Sequence, residues 1–176
     1  MTGFGRKSRD RNRPAVRRLT VPQYYWEDFT PGDVAEIGPR VVTREEIIAF
    51  ASEFDPQPFH LDEDAGRVSV LGGLAASGWH TCCIVMRMIS DGMLSRSEFL
   101  GAPGVEEVRW HAPLLAGTEV RVRTRVLDKR VSRSRPEMGF VGFAFELIDA
   151  NDKLLMTQRV HPMFGLRNPA SAPSET

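Results

Sequence analysis

Asp55 and His60 stand five positions apart in the run Phe54-Asp55-Pro56-Gln57-Pro58-Phe59-His60-Leu61-Asp62. A carboxylate and an imidazole held near one another are the parts needed to take a proton from water. Pro56 and Pro58 lie between them, fix two φ angles and remove two amide donors. The segment therefore reads as a stiff, extended loop that holds acid and base in a set relation at low entropic cost. Phe54, Phe59 and Leu61 give the pair an apolar setting. Downstream, Ser77-Gly78-Trp79-His80 opens a strongly apolar stretch.

The elements that must position these residues follow from local pattern. Thr43-Arg44-Glu45-Glu46 is a capping box, and Ile47, Ile48, Phe50, Ala51 and Phe54 form an apolar stripe at helical spacing. That helix must stop before Pro56, so Asp55 falls at its carboxyl end. There the macrodipole disfavours negative charge, a placement that suits a proton-transfer group. Asp62 reads as the cap of a short turn over 63–65. Gly72 and Gly73 lead into the most apolar helix of the chain, about 78–90, where Trp79, Cys82, Cys83, Ile84, Val85, Met86, Met88 and Ile89 leave almost no polar face. Such a helix must be enclosed on several sides. Asp91-Gly92 supplies its stop, glycine suiting a left-handed cap.

Strands make up the remainder. A short one is expected over 34–37, closed by Gly38-Pro39, and another over 105–110. Val120, Val122, Thr124 and Val126 alternate with Arg121, Arg123 and Arg125, the pattern of an antiparallel strand with one buried face, the arginines forming a solvated one. Further strands are expected over 141–147 and 154–163, with a loop at 132–136 and a turn at Asn151-Asp152. One long apolar helix among antiparallel strands implies a single α+β domain with the sheet wrapped around that helix.

Charge sets limits on partners. Residues 1–18 carry seven basic groups against Asp10, so the remainder of this formally neutral chain is net acidic. An acidic body is a poor general binder of nucleic acid. Residues 1–19 are expected to be a mobile basic tail, either a solvated extension or an arm for phosphate. The folded domain should cover 20–167, and 168–176, rich in Ala, Ser and Pro, should be a disordered end. No apolar run reaches about 18 residues, so no membrane span is expected. The basic amino end lacks the apolar segment of a secretory signal. Adjacent Cys82 and Cys83 in an apolar setting suggest buried thiols in a reducing cytoplasm, and neither has partners at metal-ligand spacing.

The loop from Phe54 to Asp62 resembles the signature of the MaoC-like hydratase/dehydratase family, which runs Asp-x-Asn-Pro-x-His, with Asp55, Pro58 and His60 in register. The likeness extends over roughly 24–167, including the glycine-led helix and the strand at 105–113. It implies the hotdog fold and the activity of an (R)-specific enoyl-CoA hydratase. Asp55 and His60 would activate water, and the Gly78 N–H would hold the thioester oxygen. Hydration of a conjugated double bond builds negative charge on the carbonyl oxygen, and a helix amino end offers free donors and a positive dipole there. Glycine at 78 would let the substrate approach the backbone. Coenzyme A enters as part of the substrate, with no separate cofactor, and the family's members are at least homodimers with the acyl pocket near the interface. Two departures stand out: Gln57 replaces the usual Asn that braces the loop, and Ser77 stands where many relatives have His.

Gln57, Ser77, Trp79, Arg133 and Arg135 are candidate substrate contacts, the arginines for the coenzyme phosphates. His80 is read as a hydrogen-bonded core residue, while His111 and His161 show no partner in sequence. A hotdog module that binds acyl-CoA without turnover, and an acyl-CoA thioesterase, remain alternatives.

Overall fold

The capping box at Thr43 forms as read in the computed structural model, which describes residues 22–169. Glu46 N–H donates to Thr43 Oγ1 at 3.2 Å and Thr43 N–H to Glu46 Oε1 at 2.7 Å. The expected tail at 1–19 and the last residues, 170–176, lie outside the described residues.

In chain order the elements are β1 (Val34–Val41), α1 (Arg44–Phe54), α2 (Pro58–Leu61), α3 (Glu63–Val68), α4 (Gly78–Gly92), β2 (Phe99–Gly101), β3 (Val105–Trp110), β4 (Glu119–Val131), β5 (Met138–Asp149), β6 (Leu154–Val160) and β7 (Met163–Gly165). The strands are all antiparallel, in the order β1-β4-β5-β6-β3, with β7 bridging β2 to the start of β5. Val120, Val122 and Val126 of β4 and Phe143, Phe145 and Leu147 of β5 turn inward onto Ile84, Val85, Met88 and Ile89 of α4. Each such burial contributes about 1.5–3 kcal/mol relative to exposure. The sheet wraps one side of α4, the hotdog arrangement of a single α+β domain.

Several expectations are corrected. Gly38-Pro39 does not end β1; the strand runs on to Val41 with a register shift between Ile37 and Arg40. β1 is an edge strand, where a proline leaves no ladder bond unmade. The expected strand at 154–163 breaks at His161-Pro162, and β7 changes partners. The short β2 had no sequence signal. Gly92 lies inside α4, where a Cβ would meet Ile37 Cγ2 at 2.7 Å, so close packing and not a left-handed cap requires glycine. The helix α4 buries Ile84, Val85, Met88 and Ile89, in keeping with enclosure on several sides, and leaves one flank open within the described chain: Trp79 is 65% exposed and Met86 48%. Cys83 shares that open flank and Cys82 is half-buried, so the thiols are not both in the core. The Arg121 and Arg123 row does face outward, paired with Glu36, Glu146 and Asp152.

Candidate active site

Pro58 opens α2, its missing N–H falling where a helix has no acceptor for it. His60 therefore rides on a helical turn instead of the straight loop expected, and only the residues before Pro58 are extended. Asp55 is the residue that closes α1, its N–H donating to Ala51 O at 3.0 Å. The two prolines thus divide the segment into a helix end that carries the acid and a helix turn that carries the base.

Both are tied to the segment entering α4. Ser77 Oγ–H donates to Asp55 Oδ2 at 2.6 Å, and the same oxygen accepts from Trp79 N–H at 3.3 Å as the amino-terminal cap of α4. His60 Nδ1 lies 2.7 Å from Ala75 O. A carbonyl only accepts, so Nδ1 is the donor there and Nε2 is turned toward Asp55. That Nε2 sits 3.6 Å from Asp55 Oδ2, and His60 is only 7% exposed.

Gly78 is the first residue of α4, and its N–H makes no hydrogen bond among the described residues. Its carbonyl accepts from Trp110 Nε1 at 3.0 Å. A Cβ at position 78 would lie 2.8 Å from Trp110 Cε2, so the indole fills the space that sequence reading reserved for substrate approach. A cavity of about 490 Å³ opens where these groups converge. Asp55, His60, Ser77, Gly78 and Trp79 line it on one side, Trp110 and His111 on another.

The remaining candidates divide. Ser77 and Trp79 are on the cavity wall, Trp79 edge-on to Trp110 with ring centroids 5.8 Å apart. Gln57 is exposed, is not on that wall, and makes no side-chain cap bond to α2. Arg133 and Arg135 are remote. The ladder aligns Trp110 with Met156, Leu147 and Val122, and the arginines follow β4 at its far end, roughly 30 Å away at about 3.3 Å per residue. Arg135 pairs there with Glu137 at 2.8 Å. Among the described residues no cluster of His, Cys, Asp and Glu could hold a metal ion.

Sequence reasoning missed Trp110 and His111 as wall residues. Only the crossing of β3 over the start of α4 brings them there, and no local spacing signals it. His111 Nε2 lies 2.9 Å from Thr157 Oγ1, and His161 sits between Glu106 (2.5 Å) and Asp128 (3.2 Å), so both have partners. His80 is buried but is not hydrogen-bonded at Nδ1; it stacks flat on Phe50, centroids 4.6 Å apart. Burial holds its imidazole below the ordinary value, Glu46 opposing and Arg40 adding to the effect.

Fold and site together define a hotdog domain with an acid, a base and a helix amino end around one cavity. The chain belongs to the MaoC-like family: the model of the MaoC like domain matches residues 28–140. It is similar to the MaoC-like dehydratase from Rhodospirillum rubrum, at 36% identity, with 82% of this chain and 98% of that one covered and a TM-score of 0.74. It is 27% identical over 115 residues to the uncharacterized protein YdeM of Bacillus subtilis (strain 168), covering 65% of this chain and 80% of that one. The R-hydratase PhaJ1 from Pseudomonas aeruginosa has the same fold, with a TM-score of 0.65 at 18% identity over 89% of this chain and 97% of the other. The relative at 36% identity is thus a MaoC-like dehydratase, while PhaJ1 shares the fold. No helix among the described residues is long and apolar enough to cross a membrane.

Proposed function

We propose that this protein is a hydro-lyase that reversibly adds water across the double bond of a trans-2-enoyl thioester of coenzyme A. The observation that carries this reading is the 3.6 Å approach of His60 Nε2 to Asp55 Oδ2 at the amino end of α4, inside one cavity. Two acceptors at that separation suit one water that donates a proton to each. Its oxygen bonds to C3 as the π pair moves toward the carbonyl; the proton passes to the Asp55–His60 pair and returns to C2. Negative charge then develops on the thioester oxygen, which the Gly78 N–H and the α4 dipole stabilise. One such donor is worth about 3 kcal/mol in acyl chemistry. No separate cofactor is needed for this step. Asp55→Asn and His60→Ala should each lower crotonyl-CoA hydration at least ~100-fold in folded protein. Unchanged turnover in both variants ends the reading, and thiol release instead of hydration would mark a thioesterase.

The working unit is a homodimer. Among the described residues β3 pairs only with β6, leaving its other edge open, and beside it lies the exposed apolar flank of α4 with Trp79 and Met86. A strand with a free edge and an uncovered apolar border is a template for another strand. In an antiparallel pair of identical strands, opposite residues share a face, so Val108 on the axis sets Glu107 opposite Arg109 of the second copy, twice. Centring on Arg109 would oppose two like charges. In the Val108 register the far end of the second copy's sheet comes toward this cavity, so Arg133 and Arg135 could meet coenzyme phosphates only across the dimer.

A further inference from the structure

The acyl group can be characterised from the wall that would receive it, on the premise that the site binds a thioester as proposed above. Apart from the exposed indole of Trp79, each polar side chain on that wall other than Asp55 makes at least one hydrogen bond within the protein. Ser77 Oγ donates to Asp55, Thr81 Oγ1 to Ser77 O, and Trp110 Nε1 to Gly78 O. His60 Nδ1 faces Ala75 O, and His111 Nε2 faces Thr157 Oγ1. What remains for a ligand is the Asp55–His60 pair, the free amide of Gly78, the indole N–H of Trp79 and the second ring nitrogen of His111.

The rest of the wall is carbon: Phe59, Leu71, Ala76, Ala112, Pro113 and Leu114. Neither lysine nor arginine lines the cavity among the described residues, and its one carboxylate is Asp55. A ligand bearing a second carboxylate would bring that charge to a wall with neither lysine nor arginine of this chain and with the Asp55 carboxyl already present. Burying an ion without a partner is strongly unfavourable, and a like charge nearby adds to the cost. An added methylene, by contrast, meets only more carbon.

We infer that the site takes thioesters whose acyl group is an uncharged hydrocarbon and rejects those that carry a second carboxylate. Leu71, half-buried at the cavity wall, is a place where an added cation would relieve that exclusion.

The test compares 2-pentenoyl-CoA with glutaconyl-CoA, in which the terminal methyl of the former is replaced by a carboxylate, on the full chain. The expected result is a kcat/KM at least ~100-fold higher for pentenoyl-CoA, narrowing at least ~10-fold in Leu71→Arg. Equal kcat/KM for the two thioesters overturns the inference. If neither is hydrated, it is the hydratase reading that fails. Calorimetry with saturated pentanoyl-CoA and glutaryl-CoA then decides the charge question alone: at least ~100-fold tighter binding of pentanoyl-CoA upholds it, and equal binding overturns it.

Discussion

Ser77 Oγ donates a 2.6 Å hydrogen bond to Asp55 Oδ2 while capping α4, so one buried hydroxyl joins the end of α1 to the start of α4. Its two bonds have separable consequences. Ser77→Ala removes a cap, costing about 1 kcal/mol of stability, and releases the acid from its bearing on His60. In the proposed mechanism Ser77 positions Asp55, so kcat should fall ~10- to 100-fold with little change in KM. Ser77→Thr, which keeps the hydroxyl, should recover most of the rate. Steady-state hydration kinetics beside thermal melts check this; a variant that loses stability but keeps kcat would confine Ser77 to capping.

The contact between Gly78 and the indole of Trp110 leads to a second expectation. A methyl at 78 would start 2.8 Å from Trp110 Cε2, so Gly78→Ala must push the ring aside. Overpacking of this kind costs about 1–3 kcal/mol, and it disturbs the amide proposed to hold the developing oxyanion. Thermal denaturation should show the loss, and Gly78→Ala combined with Trp110→Ala should recover part of the stability that Gly78→Ala alone loses. Undiminished stability in the single variant would contradict the contact.

His80 should make stability pH-dependent. Its ordinary value is 6.5 and burial lowers it in the folded protein. As pH falls, the unfolded chain takes up this proton first, which favours unfolding. The contribution is therefore complete above about pH 6.5 and is lost progressively as pH drops toward the folded value. Urea unfolding between pH 7.5 and about 5, compared with His80→Phe, isolates it. Equal slopes of stability against pH in the two proteins would refute the assignment.

Glu107 and Arg109 test the dimer. They pair within one chain at 2.7 Å and are both solvent-accessible. Glu107→Arg or Arg109→Glu alone sets like charges across the proposed axis and should weaken self-association at least ~10-fold, and the double reversal should restore it. Sedimentation equilibrium reads all three proteins, with hydration rates following the dimer fraction. Single variants that associate as tightly as the parent would exclude this register.

Much of the fold is legible locally. The Thr43 box, the apolar stripe of α1 and the alternation in β4 each obey short-range rules, because helix caps and strand faces depend on neighbours a few residues away. Asp55 and His60 could be picked out because prolines and a helix end constrain their backbone within one short segment.

What lies beyond that reach is set by chain crossings. Whether Ser77 meets Asp55, whether Trp110 roofs Gly78, and how far Arg133 and Arg135 stand from the cavity depend on how β3 crosses α4 and where the β4–β5 hairpin ends. These contacts join residues tens of positions apart, and no local preference encodes which of many possible pairings closes. The open flank of α4 has the same cause: an apolar sequence states that a surface must be covered, while only the packed sheet decides which side is left for another molecule.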